Sequence, residues 1–398
     1  MARYRRTLLA VTAAIASAAF TVSLAEVSAL AQRGAKSTNP GKSRKKVSSF
    51  AHRDDEGQPG RGKKRLRQPQ DPPVVEVFKD FNAWWDDDRD GATLAALGKV
   101  LGTDHFIHPM AELADGISPN ADVVLITSNS WGDVATRSAQ NEPAAQANLA
   151  AFVRAGGVVI VDMGDNDYGG GYMAPGSVGT PDLVFPSDGA DAKLTAAAAG
   201  EDGVLGTADD HRLVRGGDGV SATTDDLDDA NIDACCYVAH GNLSDGIVLP
   251  PSATALMTAS FNGLDEPILA EYCLGYGRVI VDTVTKEFAG HDPVGQGASR
   301  FMLALLSYAM DRGAQTDCQI NGLLEAVRWM DGEKKVPGLE ARLMRARADI
   351  ARGHFAAAAG KLRAFSNAVR AQRNRALPPR VADEWIHIAG RIAAAIVL

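Results

Sequence analysis

Apolar positions along this chain follow two rhythms, and the rhythm changes once. Between Pro73 and Arg312, short apolar runs alternate with helical stripes. Val74 to Phe78 reads as a first strand, and His105 to Ile107 and Val123 to Thr127 as two more. Leu94, Leu97 and Leu101 share one face of a helix from Gly91 to Leu101. Leu149, Phe152 and Val153 repeat at i, i+3 and i+4, which predicts a helix over Ala144 to Arg154 that Gly156 and Gly157 end. Val158 to Val161 are all apolar and β-branched, the composition of a strand buried on both faces, as in parallel sheets. Ala255 to Phe261, Pro267 to Cys273 and Arg278 to Thr283 read as later strands, the last two joined through a glycine turn at Gly275 and Gly277. Ala298 to Met310 closes this part as a helix. The β-α-β alternation predicts an α/β fold, a parallel sheet with helices on both faces.

From Cys318 to Leu398 the period is helical throughout. Leu323, Leu324, Val327 and Met330 form one stripe, and Leu339, Leu343 and Ile350 a second. Phe355, Leu362, Phe365 and Val369 form a third, and Val381, Trp385, Ala389 and Ile392 a fourth. Connections as short as these predict a small antiparallel all-α bundle. Two stretches follow neither rhythm. Residues 32–72 are rich in Lys, Arg, Gly, Ser, Gln and Pro, too polar to bury a core, and read as a disordered basic linker. Residues 169–233 are rich in Gly, Asp and Ala and read as an insertion with little regular structure.

The N-terminus has the form of a secretory signal over residues 1–31. Arg3, Arg5 and Arg6 precede an apolar run from Leu8 to Leu24, and Ala29-Leu30-Ala31 is a small-x-small cleavage site. The expected location is secreted, periplasmic or at the cell surface. No transmembrane span is expected after cleavage. Charge is segregated. The signal carries a net +2, the linker from Gln32 to Gln68 a net +9 and the tail from Gln319 a net +7, leaving −26 on residues 69–318 of a chain whose total is −8. An acidic body with basic ends attracts itself, a polyanionic surface or metal ions, and serves solubility. Export argues against a nucleic-acid partner.

Four cysteines, Cys235, Cys236, Cys273 and Cys318, allow three full pairings. A bond between direct neighbours is strained, so one of the adjacent pair is expected to bond Cys273 or Cys318. A Cys235 or Cys236 dyad with His240 fails on distance, since strand geometry separates them by roughly 13–17 Å. His240 remains a candidate beside the ends of the strands. Asp86, Asp88 and Asp90 with Gly91 copy the front half of a calcium loop, but Leu97 stands where a bidentate Glu is needed, so a polar helix-capping loop is the better reading. In EDGVLGTADD at 201–210, Asp202, Asp209 and Asp210 offer hard oxygen ligands, and calcium is the cofactor that set would take. Trp84, Trp85, Trp131, Tyr168 and Tyr172 fall at expected strand ends, where aromatics beside Asp and Asn suit a sugar-binding crevice.

Three strings carry a resemblance: ADVVLITSNSWG at 121–132, LAAFVRAGGVVIVDMGD at 149–165 and PILAEYCLGYGRVIVDT at 267–283. With them residues 73–315 resemble the class I glutamine amidotransferase-like superfamily, which implies a flavodoxin-like sheet. Its catalytic members place a cysteine in the tight turn after a central strand, with a histidine and an acid later. Here that turn reads Met163-Gly164-Asp165-Asn166, and the turn after Thr127 offers Ser128 and Ser130. The family's glutaminase chemistry therefore does not carry over. A second resemblance rests on INGLLEAV from Ile320, GHFAAAAGKLRAFSNAVRAQR from Gly353 and ADEWIHIAGRI from Ala382. Residues 318–398 thereby resemble the helical module called FIMAH, which implies an accessory, glycan-binding role. The expectation is a non-catalytic binding or scaffolding protein for glycan or cell-wall polymer, with Asp165, Asn166, Trp131 and His240 lining the site. The alternative is a hydrolase of amide or glycan substrates in which Asp165, His240 and Ser130 converge.

Overall fold

The computed structural model describes residues 73–79, 104–126, 138–163, 172–187, 192–195, 239–284, 305–306, 308–310, 312–333 and 338–397. The signal and linker expectations, the helix at 91–101, the acidic loops at 86–90 and 201–210 and most of the 169–233 insertion lie outside the described residues. Five strands lie parallel in the order β2 (Asp104–Pro109), β1 (Val74–Lys79), β3 (Val123–Ile126), β4 (Val158–Asp162) and β10 (Gly277–Asp282). Three antiparallel strands extend the sheet to eight: β9 (Leu264–Leu274), β8 (Thr254–Phe261) and β6 (Lys193–Leu194). The fold is thus mixed α/β with a mostly parallel sheet. A separate two-stranded ribbon pairs β5 (Val178–Gly179) with β7 (Ile247–Val248).

Every residue of β4 and β10 is buried. Their side chains alternate between two cores, as a period of two requires. Val159, Val161, Val279 and Val281 pack with Leu149 and Val153 of helix α1 (Pro143–Arg154). Val158, Ile160 and Ile280 face the other way, onto helical residues around Leu305, Leu306 and Tyr308. Burying a side chain of this size contributes about 1.5–3 kcal/mol, so these two central strands anchor both layers. At the outer edge, Phe106 and Ile107 of β2 are exposed.

The β8–β9 hairpin turns at Asn262-Gly263, with φ of 51° and 83°. Two successive positive values define a type I′ turn, whose twist matches that of the flanking strands. β9 consequently starts at Leu264, three residues before the Pro267 at which the apolar pattern begins. The β9–β10 turn uses Gly275 at φ +64°, as the glycine pattern predicts.

Four helices follow: α2 (Arg312–Glu333), α3 (Leu339–Ile350), α4 (Phe355–Gln372) and α5 (Pro379–Ala395). Leu323, Leu324, Val327, Leu343, Leu362, Phe365, Val369, Trp385 and Ile392 share one core, so the four stripes converge. Phe355 does not join them. It is 46% exposed at the first turn of α4. α2 runs without a break through residues 315–318.

Sheet and helices meet tightly, and residues 66–398 form one compact unit. Tyr276, in the β9–β10 turn, enters the helical core. Its phenol shares hydrogen bonds with Glu384 and Trp385, and burial together with the Glu384 charge pushes its pKa up. A Cβ at Gly322 of α2 would fall on the Gly275 carbonyl. A disulfide joins Cys273 of β9 to Cys318 of α2, with their Cα atoms 5.2 Å apart. This corrects the expected pairing with Cys235 or Cys236. The close seat of α2 on the hairpin brings Cys273 and Cys318 together, and the adjacent pair lies outside the described residues. Arg278 secures the layer of residues 305–310. It pairs with Glu271 at 3.2 Å, donates to the Tyr308 and Ala309 carbonyls and stacks over the Tyr308 ring at 4.4 Å.

Candidate functional site

In open α/β sheets ligands sit beyond the carboxyl ends of the parallel strands. Here β4 and β10 end side by side on Asp162 and Asp282, which are register partners. Both acids are fully buried, on the sheet face away from α1. Both have interaction partners. The Met163 N–H donates to the Asp282 carbonyl at 2.7 Å and holds the two strand ends together.

A short segment closes the β10 side. Ala239 bridges Val284 and Gly241 bridges Leu183. The His240 N–H donates to the Thr283 carbonyl at 3.1 Å, and the Thr283 hydroxyl donates to the Gly241 carbonyl at 2.8 Å. Gly241 passes so close to the Asp182 carbonyl that a Cβ would stand 2.9 Å from it. Asn242 then turns the chain, accepting the Ser244 and Asp245 N–H groups at 2.9 Å and donating to the Asp245 carboxylate. His240 is thus a residue of fixed backbone, 8% exposed. Its ring makes a T-shaped contact with Phe185, with centroids 5.4 Å apart and planes at 80°. Phe185 itself is 44% exposed. An exposed aromatic ring and a buried imidazole thus pack together beside the exit of β10, where the chain leaves the buried acid Asp282.

Of the residues expected at the site, only His240 and Tyr172 are described. His240 does sit at the carboxyl edge. Tyr172 does not line a crevice; it is 1% exposed in the core beneath α1, and this corrects the expectation of an accessible ring. Its neighbours explain the burial. Met173 N–H is held by Gln140 and Asn141, which draws the chain under α1. Asp165, Asn166, Ser130, Trp131, Asp202, Asp209 and Asp210 lie outside the described residues. Among the described residues no group of three or more His, Cys, Asp or Glu side chains is placed to hold a metal ion. No described helix is long and apolar enough to cross a membrane.

Sequence reasoning missed Asp162, Asp282 and Phe185. A signal for the first two was present. Both strands end on the string Val-Ile-Val-Asp, at 159–162 and 279–282. The sheet sets the two strings in register, so like residues stand beside like. No comparable signal marks Phe185, whose contact with His240 spans 55 residues of chain.

No protein-family model matches this chain, and no curated protein matches it in sequence. Solved structures do show similarity. A β-galactosidase from Bacillus circulans sp. alkalophilus aligns with 61% of this chain at 13% identity and a TM-score of 0.34. A cytoplasmic protein of Salmonella typhimurium aligns with 60% of this chain and 97% of its own length, at 14% identity and a TM-score of 0.32. A ThuA-like protein from Bacteroides uniformis aligns with 63% and 96%, at 12% identity and a TM-score of 0.30. The chain spans 31% of the β-galactosidase. Likeness at this level carries no argument about activity.

Proposed function

We propose that this chain is an exported binding protein that recognises glycan or cell-wall polymer, and that its α/β part is an amidotransferase-like scaffold which binds rather than catalyses. The order 2-1-3-4 followed by the last parallel strand is that of flavodoxin-like sheets, which supports the scaffold reading. The observation that carries the binding reading is Phe185. An exposed aromatic ring, steadied by a T-shaped contact with a buried histidine at the carboxyl ends of the strands, offers the flat apolar face that a sugar ring uses. The four-helix unit is read as the FIMAH-like accessory.

The test is sedimentation of the chain from Gln32 onward with insoluble peptidoglycan, chitin, cellulose and xylan. Retention on at least one polymer is expected, weakened about tenfold by Phe185→Ala, which corresponds to the loss of one aromatic contact. Failure to sediment with any of the four sinks the reading. One observation favours hydrolysis instead: two acids, Asp162 and Asp282, are register partners on neighbouring strands, and glycoside hydrolysis runs on a pair of carboxyl groups. Release of soluble sugar from the same polymers, abolished by Asp162→Asn or Asp282→Asn, would establish that alternative.

A further inference from the structure

A second concave site lies at the opposite end of the sheet, where the strands begin. It is a pocket of about 460 Å³ with walls from three parts of the chain. The loop before β3 supplies Ser118 and Asp122, the outer face of α1 supplies Asn148 and Phe152, and α5 supplies His387 and Arg391. Three of the polar groups are held in place. Asn148 donates its amide to the Leu113 and Ala114 carbonyls at 2.9 and 3.0 Å. The Asp122 carboxylate accepts the Val74 N–H at 2.8 Å. Arg391 reaches across the joint and donates to the Gly156 carbonyl at 3.3 Å, at the carbonyl end of α1. His387, one turn away on α5, keeps a partly exposed ring, and burial and the Arg391 charge lower its pKa.

The lining alternates donors and acceptors around one aromatic ring, and its charges are of both signs. A purely apolar ligand would strip water from the remaining hydrogen-bonding capacity of these groups, and a compact anion would meet Asp122 and the carbonyl end of α1. A ring bearing several hydroxyls satisfies both kinds of group, and the volume suits a ligand of one or two sugar units. We propose that this pocket is a saccharide subsite built jointly by the sheet and the helical bundle, distinct from the carboxyl edge. The ligand class rests on the glycan reading above; the position does not.

The test is calorimetric titration of the chain from Gln32 onward with cellobiose and with N,N′-diacetylchitobiose, each to millimolar concentration. Ala151, exposed on α1 at the pocket wall, is the site for a filling variant. Binding of at least one disaccharide is expected, weakened about tenfold or more in Ala151→Trp and in His387→Ala and unchanged in Phe185→Ala. An unaltered unfolding midpoint for Ala151→Trp confirms that the fold is intact. Binding that survives the filling variant but falls in Phe185→Ala overturns the second subsite and leaves the first reading standing. No heat from either disaccharide overturns the subsite, while polymer sedimentation still decides the first reading separately.

Discussion

The two edges of one sheet handle polar groups in opposite ways. At the carboxyl edge Asp162, Asp282 and His240 are packed away, and hydrogen bonds from the Met163 N–H and the Thr283 hydroxyl fix the chain around them. At the amino edge the polar groups of α1, the loop before β3 and α5 stand around an open volume. The difference is one of construction. The first edge is finished by loops from the α/β part itself. The second is completed by His387 and Arg391 of the helical bundle, which is clamped against the sheet by a disulfide, a buried tyrosine and a helix seated on a hairpin turn. A concave site can therefore arise where two packed units meet, away from the strand ends.

Loss of the clamp breaks this contrast most severely. Replacing Cys273 and Cys318 together by Ser frees a loop of 45 residues, which costs about 4 kcal/mol by loop-closure entropy. A loss of unfolding free energy in urea of less than a quarter of that would mean the packing alone holds the edge. Gly322→Ala comes next. Its methyl group would strike the Gly275 carbonyl, at a cost of about 2 kcal/mol from overpacking. Gly360→Ala, on an open helix face, gains about 0.5–1 kcal/mol from helix propensity. Thermal unfolding of the two variants should therefore shift in opposite directions, and a common direction would remove the close-approach argument.

Thr283→Val probes the carboxyl edge on a smaller scale. It leaves the Gly241 carbonyl without the hydroxyl donor, for about 1 kcal/mol, read from chemical denaturation. The smallest effect belongs to His387. Its folded-state pKa lies below the ordinary value of 6.5, so the unfolded chain takes up the proton first as pH falls. Stability is complete above about 6.5 and declines below it until the folded-state value is passed. His387→Gln should flatten that decline. Because the ring is partly exposed the change is slight, and identical pH profiles for the two proteins would contradict it.

Much of this fold was legible because its signals are local. Val158 to Val161 announced a strand with two buried faces, and the glycine turn before β10 was read correctly. The Asn262-Gly263 pair is an equally local signal, and it sets the start of β9 at Leu264, ahead of the apolar run. The site was less legible. The repeated Val-Ile-Val-Asp ends gain meaning only when β4 and β10 are neighbours across 120 residues of chain. His387 and Arg391 are i and i+4 on the face of α5 away from Trp385 and Ile392, which marks them as a shared outer face. Nothing in their spacing says that Phe152 stands opposite. The same holds for Cys273 and Cys318, whose pairing follows from where α2 sits.

Tyr276 gives the molecule a means of reporting on its own joint. Its hydroxyl meets the indole of Trp385, a side chain 2% exposed in the centre of the bundle. While the hairpin tip is seated, that indole is dry and emits at short wavelength; once the tip withdraws, water reaches it and the emission moves to the red. With the other four tryptophans replaced by phenylalanine, the colour of a single fluorophore would track the union of sheet and bundle in real time, without any label added.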